Sequence, residues 1–226
     1  MKLCPAMIAA LPREVSALVK GWEKRELPGH VVVYTNGEAV VACAGMGTER
    51  AVLAAQAAME TMPLTDLLSV GLAGACDPRL EVGEIVRASV VIDARTGERF
   101  ESSQFKQVLL STGAIASVGE KARLRASYNA DAVDMEAAAV ARSAQAHGLS
   151  FHSIKAISDE ADFEVEGLAR FATAEGQFRE TAFALHAVVR PAMWGRVIAL
   201  GRNSSKALDA LTEALQTELD WYRKRN

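Results

Sequence analysis

Cysteine, surplus positive charge and long apolar runs are all scarce in this chain, and each scarcity closes off a class of function. Cys4, Cys43 and Cys76 are three in number, widely spaced and set in apolar or glycine-rich runs. They suit buried free thiols in a reducing cytosol better than a disulfide framework. Lysine and arginine total 25 against 28 aspartates and glutamates, a formal net charge of -3. That balance lacks the basic excess that nucleic-acid binding leaves, so no nucleic-acid partner is expected. No window reaches the ~18–20 apolar residues of a transmembrane helix, and the run 6–11 is too short for a signal-peptide core. The mature protein is therefore expected to begin at Met1 and to be cytoplasmic. What is present is 226 residues, 50% hydrophobic and 23% charged, a length and composition that predict one sizeable globular domain.

Short apolar runs alternate with amphipathic, alanine-rich stretches. Strands are predicted at 3–11, at "VVVY" and "AVVACA" on either side of the turn "TNGE", and at 66–74, 83–94, 107–112, 131–135 and 151–162. Helices are predicted at 12–21, opened by Pro12, at 48–62, at 119–128 and through the alanine run that follows Glu136. The polar segment 95–106 carries no clear periodicity. Regular alternation of this kind predicts an α/β sheet covered by helices on both faces. No internal repeat or low-complexity segment interrupts it.

In such sheets functional groups gather where strands end and helices begin. "GMGT" (45–48) puts two glycines and a threonine at a helix start, where free N–H groups favour an anion. It lacks the Lys-Ser/Thr of a Walker motif and the full Rossmann glycine pattern, so by itself it reads first as a plain strand-to-helix turn. "GLAGACDP" (71–78) is either a tight turn or a close approach of backbone to a flat ligand. Asp134 and the Ser158-Asp159 pair could each simply cap a helix. What exceeds capping is the set: Glu14, Glu136 and Asp159 all fall at predicted strand-to-helix junctions. No metal-ligand spacing occurs and no cofactor is expected.

Taken in order, "IAALPREV", "AGMGTERA", "SVGLAGACDPRLEVGEIV", "AVDMEAAAVA" and "IKAISDEAD" resemble the purine nucleoside phosphorylase and nucleosidase superfamily, especially its adenine-releasing branch. The resemblance covers about residues 3 to 190. It implies a catalytic domain over 1–190, a single three-layer α/β/α sandwich around a mixed, partly barrel-like sheet, followed by a helical extension over 191–226. It also implies a homo-oligomer, a dimer foremost, acting on a small purine nucleoside. Cleaving the bond from ribose C1′ to a purine builds positive charge on the sugar and negative charge on the base. By resemblance Asp159, positioned by Ser158, protonates purine N7 as general acid. Glu136 accepts hydrogen bonds from the ribose hydroxyls, Met135 lies under the sugar, and Ala73 and Gly74 line the base site. Glu14 helps activate an attacking water. Arg13, Gly45, Gly47, Thr48 and Lys155 would contact phosphate, the co-substrate if the enzyme is a phosphorylase.

Two departures bear on the nucleophile. Leu72 stands where the family commonly has a serine or threonine, and Lys155 where it has an arginine, which keeps charge but loses the bidentate fork. The segment "DPRLEVGEIV" and the tail "VVRPAMWGRVIALGRNSSKALDAL" resemble the hopanoid-associated phosphorylase branch, which implies phosphorolysis of an adenosylhopane-type nucleoside. Methylthioadenosine or adenosylhomocysteine hydrolysis is the alternative, and a nucleoside-binding protein without catalysis is a third. Residues 191–203 mix Met193, Trp194, Val197, Ile198 and Leu200 with flanking Arg190, Arg196 and Arg202. That composition fits peripheral membrane contact, or a helix packed on its own domain or on a partner subunit.

Overall fold

The computed structural model describes residues 3–102, 106–163, 171 and 194–226. The strands are β1 (Pro5–Ala9), β2 (Glu23–Leu27), β3 (Val31–Thr35), β4 (Val40–Cys43), β5 (Asp66–Ala75), β6 (Ile85–Asp93), β7 (Arg99–Glu101), β8 (Gln107–Ser111), β9 (Ala132–Asp134) and β10 (Ser150–Asp159). The helices are α1 (Thr48–Thr61), α2 (Val118–Tyr128), α3 (Ala137–Ala146) and α4 (Trp194–Arg225). One sheet runs β10-β6-β8-β9-β5-β1-β4-β3-β2, with β7 on β6, and β10 also pairs β5. That extra pairing closes β5, β9, β8, β6 and β10 into a ring, from which β1, β4, β3 and β2 extend as an open wing. The expected mixed, partly barrel-like sheet between helical layers is observed.

Alternation along the strands explains the layers. Ala6 and Ile8 of β1 and Val40 and Ala42 of β4 pack in one cluster with the alanines of α1 and α3. Their neighbours Met7, Ala9, Val41 and Cys43 point to the other face, against Ala207, Leu211, Leu215, Leu219 and Tyr222 of α4. The spacing of those five puts them on one stripe of α4, so the C-terminal helix packs on its own sheet. Its first turns behave differently: Trp194 is 50% and Ile198 61% exposed. Arg190, Met193 and the proposed boundary at 190/191 lie outside the described residues.

Two local expectations need correction. Residues 12–21 do not form a helix; only Pro12–Glu14 make a 3-10 turn, and Val15 leaves helical geometry. The cause is the Glu14 side chain, which turns back to accept from the Ala10 and Leu11 amides at 3.0 Å each and so holds the chain in a tight loop. The charged strand β2 was not expected at all. Among the described residues it pairs only with β3, is exposed at all five residues, and carries Lys24–Glu26 and Arg25–Glu23 ion pairs, the charge pattern of a protected edge.

Strand directions in the ring position the functional edge. Gly74 of β5 pairs with Asp159 of parallel β10 on one side and Val133 of antiparallel β9 on the other. The ends of β9 and β10 therefore meet at one level beside the same glycine. If the α4 stripe anchors this side of the sheet, Leu215→Ala lowers stability by about 2–5 kcal/mol and Ile198→Ala by less than about 0.5 kcal/mol. Urea unfolding of the two variants measures the contrast; equal losses would contradict it.

Candidate active site

A cavity of about 540 Å³ opens at that edge. Arg13, Glu14, Ala73, Gly74, Met135, Glu136, Ser158 and Asp159 all line it, so most residues singled out from the sequence converge there. Gly45, Gly47, Thr48 and Lys155 are not among its lining residues.

Glu14 stands over the end of β1 with its carboxylate on the Ala10 and Leu11 amides. Burial pushes its pKa up, against the opposing pull of the Leu11 amide and the Lys155 charge. Gly71 makes room for it: a Cβ there would stand 3.2 Å from Glu14 Oε2, and its φ of +129° already disfavours a side chain.

At the end of β9 the two acids divide their work. Asp134 caps α3, accepting from the Ala137 amide at 2.9 Å and the Ser111 hydroxyl at 2.6 Å. Its Oδ2 also meets Lys155 Nζ at 2.8 Å, with both side chains at most 1% exposed. Glu136 makes no cap bond; it accepts from the Gly47 amide at 2.7 Å and faces the cavity. Burial, then the neighbouring Asp134 charge, push its pKa up to about 7, against the pull of Lys155. The alanines beneath it are buried without a break from Ala137 to Ala139, and α3 packs tightly on α1 through them.

At the end of β10, Ser158 donates to Asp159 Oδ1 at 2.7 Å. Asp159 Oδ2 receives the ammonium of Lys121, a residue of α2 that the sequence did not single out. Lys121 is only 2% exposed. A signal existed: it shares a helical face with buried Leu124, three positions on. α2 is itself fixed by Arg125, which spans Asp77 and Asp131 at 2.7 and 2.9 Å. The far wall was also missed, since Val197, Leu200, Ser204 and Leu208 of α4 close the cavity and only tertiary packing brings them there.

The anion contacts expected from "GMGT" are largely engaged within the protein. The Gly45 amide donates to the Ala10 carbonyl at 2.9 Å, the Gly47 amide serves Glu136, and Thr48 is exposed at the start of α1. Lys155 is engaged with Asp134 and, at 3.2 Å, with the Val70 carbonyl. Of the proposed phosphate contacts Arg13 alone borders the cavity. The physical reason is that a buried carboxylate and a buried lysine both need internal partners, and these groups supply them to each other.

A family model described as the phosphorylase superfamily matches residues 6–111 and 96–192. The chain belongs to the phosphorylase superfamily. As a member of that superfamily the protein is an enzyme, and the resemblance read from its motifs is borne out at family level. The aminodeoxyfutalosine nucleosidase of Campylobacter jejuni is 27% identical over 200 residues, covering 71% of this chain and 87% of that protein. Among solved structures, a futalosine hydrolase of Helicobacter pylori superposes with a TM-score of 0.72 at 17% identity, covering 96% of this chain and 97% of that one. A 5′-methylthioadenosine/S-adenosylhomocysteine nucleosidase of Helicobacter pylori, solved with butyl-thio-DADMe-Immucillin-A, gives a TM-score of 0.71 at 17% identity, covering 97% and 99%. These likenesses fix the fold of the superfamily member.

The raised pKa of Glu136 has a measurable effect on stability. Between the ordinary value of 4.5 and about 7, the native protein keeps a proton on Glu136 that the unfolded chain releases, so stability falls as pH rises across that window. Glu136→Gln removes this dependence. Denaturant melts at several pH values should show the variant gaining on the native protein by on the order of 1–3 kcal/mol across the window; parallel curves would contradict the assignment.

Proposed function

We propose that the protein cleaves the N-glycosidic bond of an adenine nucleoside, with water as the nucleophile. The observation that carries this is the convergence of Glu14, Glu136 and Asp159 on one cavity, each in a different environment. The names of the relatives, an aminodeoxyfutalosine nucleosidase and a methylthioadenosine/adenosylhomocysteine nucleosidase, support the same chemistry.

Each carboxylate has a separate task. Glu136, buried and aimed into the cavity, binds the ribose 2′- and 3′-hydroxyls through its two oxygens, with Met135 against the sugar face. Asp159, one-quarter exposed and oriented by Ser158, serves the purine end, where N7 must gain a proton as the C1′–N9 electron pair moves onto the base. Glu14 takes a proton from the attacking water, and the burial that raises its pKa strengthens it as a base. Water rather than phosphate is favoured because the Gly45 and Gly47 amides and the Lys155 ammonium already have internal partners.

Arg13 at the cavity mouth favours a second reading, in which phosphate attacks and the enzyme is a phosphorylase. The apolar wall from α4, with Val197, Leu200 and Leu208, suits an apolar 5′ substituent, whether alkylthio or a hopane-type chain. A cytoplasmic location, a homodimer and a peripheral membrane contact belong to the same proposal. Val52 and Leu53 exposed on α1 favour a subunit contact, and Trp194 and Ile198 exposed on α4 favour a lipid contact. Among the described residues no helix is long and apolar enough to cross a membrane.

Adenine release from adenosine, methylthioadenosine and adenosylhomocysteine, with and without phosphate, tests the reaction. Equal rates in phosphate-free buffer are expected; strict phosphate dependence would establish phosphorolysis instead. Asp159→Asn should lower kcat by about 10²–10⁴-fold while nucleoside binding is kept, and near-native turnover would remove Asp159 from the acid role.

A further inference from the structure

Asp159 presents a difficulty for a general acid, which must have a proton to give. Both of its carboxylate oxygens accept: Oδ1 from the Ser158 hydroxyl at 2.7 Å and Oδ2 from the Lys121 ammonium. Lys121 also donates to the carbonyls of Glu160 at 2.8 Å and Phe163 at 3.3 Å, so its three hydrogens are all directed. The pair is built into the fold. Lys121 is 2% exposed, and a Cβ on Gly74 would stand 2.8 Å from Asp159 Oδ2 and 3.0 Å from Lys121 Cε. Glycine at 74 is what lets the two side chains close over β5.

We propose that Lys121 is a positioning residue that acts through Asp159, supplying from behind the proton that Asp159 passes to the leaving base. This rests on the nucleosidase reading above. As the C1′–N9 bond breaks, its electron pair moves onto the purine. Asp159 accepts a proton from the Lys121 ammonium at Oδ2 and delivers one to N7. The carboxyl ends as it began, the lysine ends as a neutral amine, and once the base has left the proton that Glu14 took from the attacking water returns through solvent to recharge the amine. A buried ion pair adds little over apolar packing, so stability alone does not account for a lysine seated behind a carboxylate that lines the cavity.

Among the described residues few other groups titrate beside the pair. Cys76, just past β5, lies within Coulombic range of both, and burial pushes its thiol up to about 11; Arg125 and Asp131 stand beyond it in their own ion pair. Glu160 touches Lys121 through its carbonyl.

The test is adenine release by the native enzyme and by Lys121→Met and Lys121→Arg from about pH 5 to about pH 9, the range over which a side-chain acid is read. In native enzyme the relay holds activity toward alkaline pH. In Lys121→Met only an Asp159 that carries its own proton can act, so kcat should fall as pH rises, converging with native at the acid end and about 10²-fold lower at the alkaline end, with KM little changed. Lys121→Arg keeps the charge but does not give up its proton, and should follow the Met variant. A Met profile parallel to native, or an Arg variant that restores the alkaline rate, would overturn the relay. Should the Lys121 variants fail to fold, Gly74→Ala, which intrudes on the pair from β5, should give the same alkaline loss, and a native-like profile there would likewise overturn it. Absence of base release by the native enzyme from every nucleoside would instead overturn the reading on which the relay rests.

Discussion

The ammonium of Lys155 is the charge on which the site depends. It lies fully buried against Asp134 at 2.8 Å and within Coulombic range of Glu136 and Glu14. Burial alone would pull its pKa down, but Asp134 and then Glu136 outweigh it and hold the lysine above its ordinary value. Carboxylates this deep are expensive to ionise without a paired cation. One cation does not offset the burial of three acids, and the pKa values of Glu14 and Glu136 are both raised, that of Glu136 to about 7. Both carboxyls thereby hold a proton more readily than an exposed glutamate does, while Asp134 pairs with the lysine and caps α3.

The mixed sheet is what brings that cluster to the same cavity as Asp159. In a purely parallel sheet the ends of β9 and β10 would lie side by side along one edge. Here β9 runs against β5 while β10 runs with it, and both pair with Gly74. The closed ring thus places Glu136 and Asp159 on opposite sides of one strand, with the missing Cβ of Gly74 leaving space for Lys121. α4 completes the enclosure from the far face, so a helix distant in sequence becomes a wall of the cavity.

Much of this was legible because apolar runs and small residues report burial directly. The strands that lead into Glu14 and Glu136, the strand that ends on Asp159 and the alanine helix α3 follow from pattern, and Asp134 behaves as the cap that its position predicts. What was not legible depends on partners far along the chain. Residues 12–21 have a helical pattern, yet the Glu14 carboxylate binds the amides that precede it and breaks the helix. Four of the five residues of strand β2 are charged, and it has no alternation to detect. Gly45, Gly47 and Lys155 have the chemistry of an anion site, but Ala10, Glu136 and Asp134 engage them first. Lys121 looks like any solvent lysine until the fold seats it on Asp159.

The orientation of a bound nucleoside decides the account most directly. A crystal structure of the protein with a non-cleavable C-nucleoside should show the ribose 2′- and 3′-hydroxyls within hydrogen-bond distance of Glu136 and the base N7 position within hydrogen-bond distance of Asp159. A nucleoside seated the other way round, with its base on Glu136 and its sugar beside Asp159, or bound outside this cavity, would contradict it.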